Sequence, residues 1–168
     1  MRRLSRTLDI ACDADAFWAI FFDDDYVKKL HREGLGFREI EILERTDTRR
    51  RLRAVPSLDV PEPVARLLGD RFGYVETGSL DRARGEWRWS MAPNALGDKL
   101  RTEGTIVVEA TGEGRARRRD EVVIEAKVFG VGGLIESSAE KQLRASWERE
   151  AAFLNRWIAK VTAAKTDA

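Results

Sequence analysis

Apolar and polar residues alternate from Leu4 to Ile10, with Leu4, Leu8 and Ile10 on one parity, which predicts a strand with one buried face. The spacing then changes to three and four. Phe17 to Phe22 form an apolar stretch capped by Asp13 or Asp15, and Asp23-Asp24-Asp25 open a second short helix through Tyr26, Val27 and Leu30. Gly34-Leu35-Gly36 ends it, and alternation resumes over Phe37 to Glu44 and returns over Arg49 to Val55. Pro56, Pro61 and Pro63 interrupt the ladder and frame a small amphipathic turn around Val64, Leu67 and Leu68. Four more strands are predicted over Tyr74 to Leu80, Glu86 to Met91, Arg101 to Ala110 and Glu121 to Phe129.

Gly130 to Gly133 close the last strand, and a helical period runs from about Leu134 to about Ala164. Leu134 or Ile135, Ala139, Leu143, Trp147, Leu154, Trp157 or Ile158, and Val161 recur on one side, and Glu140, Arg144 and Glu148 can pair on the other. The mixed charges of that outer side favour packing on the chain's own sheet over a membrane-surface helix, whose polar face would be mainly basic. The element order predicts an α+β fold: a curved antiparallel sheet around a long C-terminal helix, with two short helices after strand one, in a single domain over 1–168.

Composition narrows the function classes. Lys and Arg number 30 against 29 Asp and Glu, so no global field collects nucleic acid, which is excluded as a partner. Hydrophobic residues at 43% with 5 Trp and 7 Phe rule out a disordered chain. One cysteine, Cys12, builds neither a disulfide scaffold nor a zinc finger. Met1-Arg2-Arg3 is followed by alternation and not by an apolar run, and no segment approaches the roughly 20 apolar residues of a membrane span. The expectation is a cytoplasmic protein.

Several stretches carry a resemblance. They are Phe21-Phe22-Asp23-Asp24-Asp25-Tyr26 with Lys29-Leu30-His31, the arginine-rich return from Arg49 to Arg53, and Ala92 to Lys99 leading into Arg101-Thr102-Glu103-Gly104-Thr105. Phe129 to Glu136 and Ser146-Trp147-Glu148 complete the set. Together they resemble the START-like, or SRPBCC, helix-grip superfamily, and within it a bacterial branch similar to VASt-type sterol-binding domains. The resemblance implies a cavity between sheet and C-terminal helix that holds a lipid, sterol-like or polyketide-like molecule. It also implies a rival, a polyketide cyclase or dehydratase using pocket acid/base groups; a third reading, apart from the resemblance, is an interaction module with a filled core and an exposed apolar patch.

The residues offer few signs of catalysis. His31, the single histidine, has no oriented partner for Cys12 or a serine, and no HExxH, P-loop or GxGxxG is present, so no catalytic, metal or cofactor residue is assigned. The acidic triplet from Asp23 to Asp25 is explained by helix capping. Alternation places Trp87, Trp89 and Met91 on one inward face, joined by Ile106 and Val108 and by Ile124 with Val122 and Val128. On the helix, Ile135, Leu143 and Trp147 face them, with Gln142, Ser146 and Glu150 as polar groups able to orient an otherwise apolar ligand. These twelve residues, Val122 and Val128 apart, form the expected ligand site, and Glu150 is the acid/base candidate of the cyclase reading. The clusters Arg49 to Arg53, Arg82 with Arg84 and Arg115 to Arg119 read as solvated strand ends and turns that suit transient contact with anionic headgroups.

Overall fold

A computed structural model describes residues 1–167. Strands β1 (Arg2–Ile10), β2 (Glu39–Arg45), β3 (Arg49–Val55), β4 (Tyr74–Asp81), β5 (Glu86–Pro93), β6 (Leu100–Gly112) and β7 (Arg115–Ala126) form one antiparallel sheet in the order β1-β7-β6-β5-β4-β3-β2. Helices α1 (Ala14–Phe21) and α2 (Asp24–Lys29) follow β1, a π-helical turn covers Leu30–Gly34, and α3 (Glu62–Leu68) bridges β3 and β4. Helix α4 (Gly132–Asp167) crosses the inner face. Its 36 residues span about 54 Å. The architecture is the helix-grip arrangement, with the sheet curved around the terminal helix.

Local chemistry explains the short helices. Asp13 accepts from the Ala16 amide at 2.8 Å and Asp23 from the Tyr26 amide at 2.9 Å, each satisfying a donor the helix start leaves free. Asp24 pairs with Arg45 and Asp25 with Lys29, which accounts for the rest of the acidic triplet. The main core joins Phe17, Trp18, Phe21 and Phe22 of the α1 region to Trp87, Ile106, Val108 and Leu154. Two glycines make room for indoles: a Cβ on Gly78 would lie 2.1 Å from Trp87 Cζ2, and one on Gly104 would lie 2.8 Å from Trp89 Cζ2. The two indoles therefore lie directly against bare backbone.

The structure departs from the sequence expectation in the last strand. Strand β7 begins at Arg115 and ends at Ala126, so Val128 and Phe129 lie in a loop, the latter fully exposed. Its first half has inward side chains at Ala116, Arg118 and Asp120, all buried, and so lacks the apolar alternation that marks a strand. The arginines there are correspondingly not all solvated. Arg118 and Arg50 are 3% and 5% exposed, while Arg53 and Arg117 pair with acids on neighbouring strands and Arg119 with Glu121 on its own strand. The other members of these clusters, among them Arg49, Arg51, Arg82, Arg84 and Arg115, are exposed as expected. Among the described residues no helix is long and apolar enough to cross a membrane.

Candidate functional site

The prolines that break the ladder after β3 release a segment, residues 56–61, that folds over one end of the sheet. It is fastened twice: Ser57 Oγ donates to the Gly36 carbonyl at 3.0 Å, and Gln142 Nε2 of α4 donates to the Asp59 carbonyl at 2.9 Å. Beneath it lies a cavity of about 190 Å³ between α4 and strands β4 to β7. Tyr74, Trp89, Met91, Leu100, Thr102, Val122 and Ile124 supply the sheet wall. Val64 and Leu68 of α3 close one side, and Ile135, Ser138, Ala139, Gln142, Leu143, Ser146 and Arg149 line it from α4. A larger hollow of about 750 Å³ crosses the outer face of the sheet, lined by Arg3, Arg49, Arg88, Glu103, Glu121 and several hydroxyls. It is half polar and more open to solvent, so the smaller, more sheltered and mostly apolar cavity is the better ligand site.

Of the expected site residues, Trp89, Met91, Ile124, Ile135, Gln142, Leu143 and Ser146 are brought together around this cavity. Trp87, Ile106 and Val108 lie instead in the main core, where the Trp87 ring packs edge-on against Phe21 and Phe22 at centroid distances of 5.2 and 5.5 Å. Alternation gave these residues the correct face. It could not show that α1 fills the space in front of them. Trp147 packs with Leu4, Val122 and Ile124, and the Arg6 guanidinium lies 5.1 Å above its ring. The cavity also recruits residues outside the expected set, notably Tyr74 at the start of β4, Leu35 and Phe37 ahead of β2, and Arg149 on the exposed edge of α4.

Glu150 is placed away from the cavity, in a closed ring of charges. Its Oε1 accepts from Arg118 Nη1 and its Oε2 from Arg6 Nη2, both at 2.7 Å. Asp120 joins the same two arginines from the opposite side, with Arg6 Nε at 2.7 Å and Arg118 Nη2 at 2.8 Å. Arg6 Nη1 also donates to the Trp147 carbonyl at 2.7 Å, so the ring fastens α4 to β1 and β7. Burial alone would raise the Glu150 carboxyl, but Arg118 and Arg6 outweigh it and hold it down to about 2. A carboxylate so firmly ionised is suited to structure and not to proton exchange.

A second polar group lies on the inner face beyond the cavity wall. Glu76 stands between Tyr74 and Gly78 on β4, opposite Met91 of β5. Burial pushes its carboxyl up, opposed by Arg50, whose Nη2 is 3.9 Å away. Arg50 is itself enclosed, donating Nη1 to the Phe21 carbonyl at 2.5 Å and stacking 4.3 Å from the Phe21 ring. His31 Nδ1 lies 2.7 Å from the Val27 carbonyl, which only accepts, so the ring carries its proton on Nδ1. Burial lowers the His31 pKa to about 4, leaving it neutral at ordinary pH.

A family described as "Protein of unknown function (DUF2505)" matches residues 5–158. The chain belongs to the DUF2505 family. Solved structures place this DUF2505 member in the START-like fold. A START superfamily protein from Mycobacterium smegmatis aligns with a TM-score of 0.62 at 16% identity, covering 95% of this chain and 98% of that one. The ZhuI aromatase/cyclase from Streptomyces sp. R1128 gives 0.67 at 15% identity over 94% and 95% of the two chains. Norcoclaurine synthase from Thalictrum flavum, in complex with dopamine and hydroxybenzaldehyde, gives 0.66 at 16% identity over 95% and 87%. No curated protein matches the sequence. These proteins and this DUF2505 chain share one fold, and the expected START-like architecture is correct.

Proposed function

We propose that this DUF2505 protein binds a small hydrophobic molecule in the cavity under α4. The observation that carries the reading is a largely apolar space of about 190 Å³, open at one mouth, at a place where the fold leaves sheet and helix apart. An apolar cavity of about 150 Å³ is enough to admit benzene, and pockets for drug-sized ligands begin at roughly 300 Å³. The volume therefore suits one ring with a short substituent or a compact two-ring molecule and is too small for a four-ring sterol. Affinity comes from apolar surface removed from water, at about 25 cal/mol per Å² before ordering costs. The neighbours that carry aromatic chemistry in their names, an aromatase/cyclase and a synthase holding hydroxybenzaldehyde, support ligands of this class.

The test is a native mass spectrometry titration with naphthalene-class compounds, for the wild type and for Ala139→Phe, which puts a ring into the space. Saturable one-to-one binding that Ala139→Phe abolishes supports the reading; binding that Ala139→Phe leaves intact refutes this location. An acid/base enzyme is the second reading, and the raised carboxyl of Glu76 favours it over Glu150. Turnover of a bound aromatic ketone or aldehyde that survives Glu76→Gln would remove that reading.

A further inference from the structure

The polarity of the cavity is uneven, and its one strongly polar point lies at the mouth. Ser57, Leu58 and Arg149 are the lining residues that stay exposed, so the cavity opens between the segment after β3 and the middle of α4. Among the described lining residues, Arg149 alone carries a charge; the others are apolar, amides or hydroxyls. Arg149 is also unlike the arginines deeper in the fold. Arg6, Arg50 and Arg118 each face a carboxylate, whereas among the described residues Arg149 has no acidic partner. Its recorded bond is a long donation from Nη1 to the Leu35 carbonyl at 3.4 Å. The adjacent carboxylate, Glu150, points away into its own ring with Arg6 and Arg118.

Helical geometry adds hydroxyl and amide groups beside that cation. Ser146 lies three residues before Arg149 and Gln142 seven before it, spacings that put all three on the cavity side of α4. A guanidinium presents paired N–H donors that match a carboxylate, and such a bond is charge-assisted. We infer that the ligand is an amphipathic monocarboxylic acid, with its ring or rings in the apolar cavity and its carboxylate at the mouth against Arg149 and Ser146. This rests on the binding reading above and adds the chemical class of the ligand's outer end. A neutral molecule of the same shape fills the cavity equally well but leaves the cation solvated and unpaired.

Isothermal titration calorimetry with 2-naphthoate and its neutral isostere 2-naphthamide separates the two claims. Because Arg149 is exposed and screened, the acid should bind the wild type about fivefold more tightly than the amide near pH 7. In Arg149→Gln that ratio should fall to about one, and Arg149→Lys should restore part of it. Added salt should shrink the wild-type ratio. A thermal melt checks that each variant is folded, as expected for an exposed position. If the amide binds but the acid binds no better, or the preference survives Arg149→Gln, the acid assignment is wrong while the cavity reading stands. If neither compound binds the wild type, the cavity reading fails and the acid assignment with it.

Discussion

Replacing Glu150 by glutamine removes one side of the buried charge ring with little change of shape. The Glu150 side chain is 17% exposed and the side chains of its partners Arg6 and Arg118 are 13% and 4% exposed, so the ring is largely shielded from water. Each arginine keeps Asp120, and the ring changes from neutral to one excess positive charge. Breaking a buried pair costs about 3 to 5 kcal/mol, and the retained Asp120 puts this case at the lower end, about 3 kcal/mol. Proton linkage gives the same size: lowering the carboxyl from 4.5 to about 2 corresponds to about 3 kcal/mol. Because the folded pKa lies below the unfolded one, this stability is fully present above about 4.5 and is lost as pH falls toward 2. Urea denaturation of wild type and Glu150→Gln should therefore show a gap of about 3 kcal/mol near pH 7 that narrows steadily below about pH 4.5. A gap under about 0.5 kcal/mol at neutral pH, or one independent of pH, would refute the assignment of Glu150 as a buried structural anion.

Gly78→Ala sets a Cβ 2.1 Å from Trp87 Cζ2 in a core where that tryptophan is 1% exposed, so a loss of about 3 kcal/mol and a clearly lower Tm are expected in a thermal melt. An unchanged Tm would show that the indole can move aside. The single histidine gives one imidazole titration by NMR, which should centre near 4 with the Nδ1–H tautomer above it. A midpoint near 6.5 would show that His31 is solvated. Since its folded pKa is the lower one, His31 should also erode stability as pH falls from about 6.5 toward 4. The Cys12 thiol, pushed up to about 11 by burial and by Asp13, should react slowly with a thiol reagent in the native state and quickly after unfolding. Fast reaction in the native state would contradict the half-buried placement.

The sequence pattern exposes the order of elements and the face of each strand because those follow from periods of 2 and 3.6 that survive in this chain. Trp89, Met91, Ile124, Ile135 and Leu143 were legible as inward for that reason. What periodicity cannot carry is depth. Trp87 and Trp89 share a parity, yet α1 covers the first with Phe21 and Phe22 while the second reaches the cavity. Buried charge also hides structure: the cluster Arg115 to Arg119 reads as solvated strand ends and turns, yet Arg118 is interior, paired with Asp120 beside it and with Glu150 from far along the chain. Arg149 and Tyr74 were not legible as cavity residues, since one is an exposed helix residue and the other stands at the very start of its predicted strand, after an irregular segment.

A crystal structure of the wild-type protein soaked with 2-naphthamide tests the central claim most directly. The account predicts ligand density between α4 and strands β4 to β7, in contact with Trp89, Met91 and Leu143, with the segment over residues 56–61 still fastened through Gln142. Density only in the outer furrow beside Arg49 and Arg88, or a cavity filled by ordered water with no ligand at saturating concentration, would contradict it.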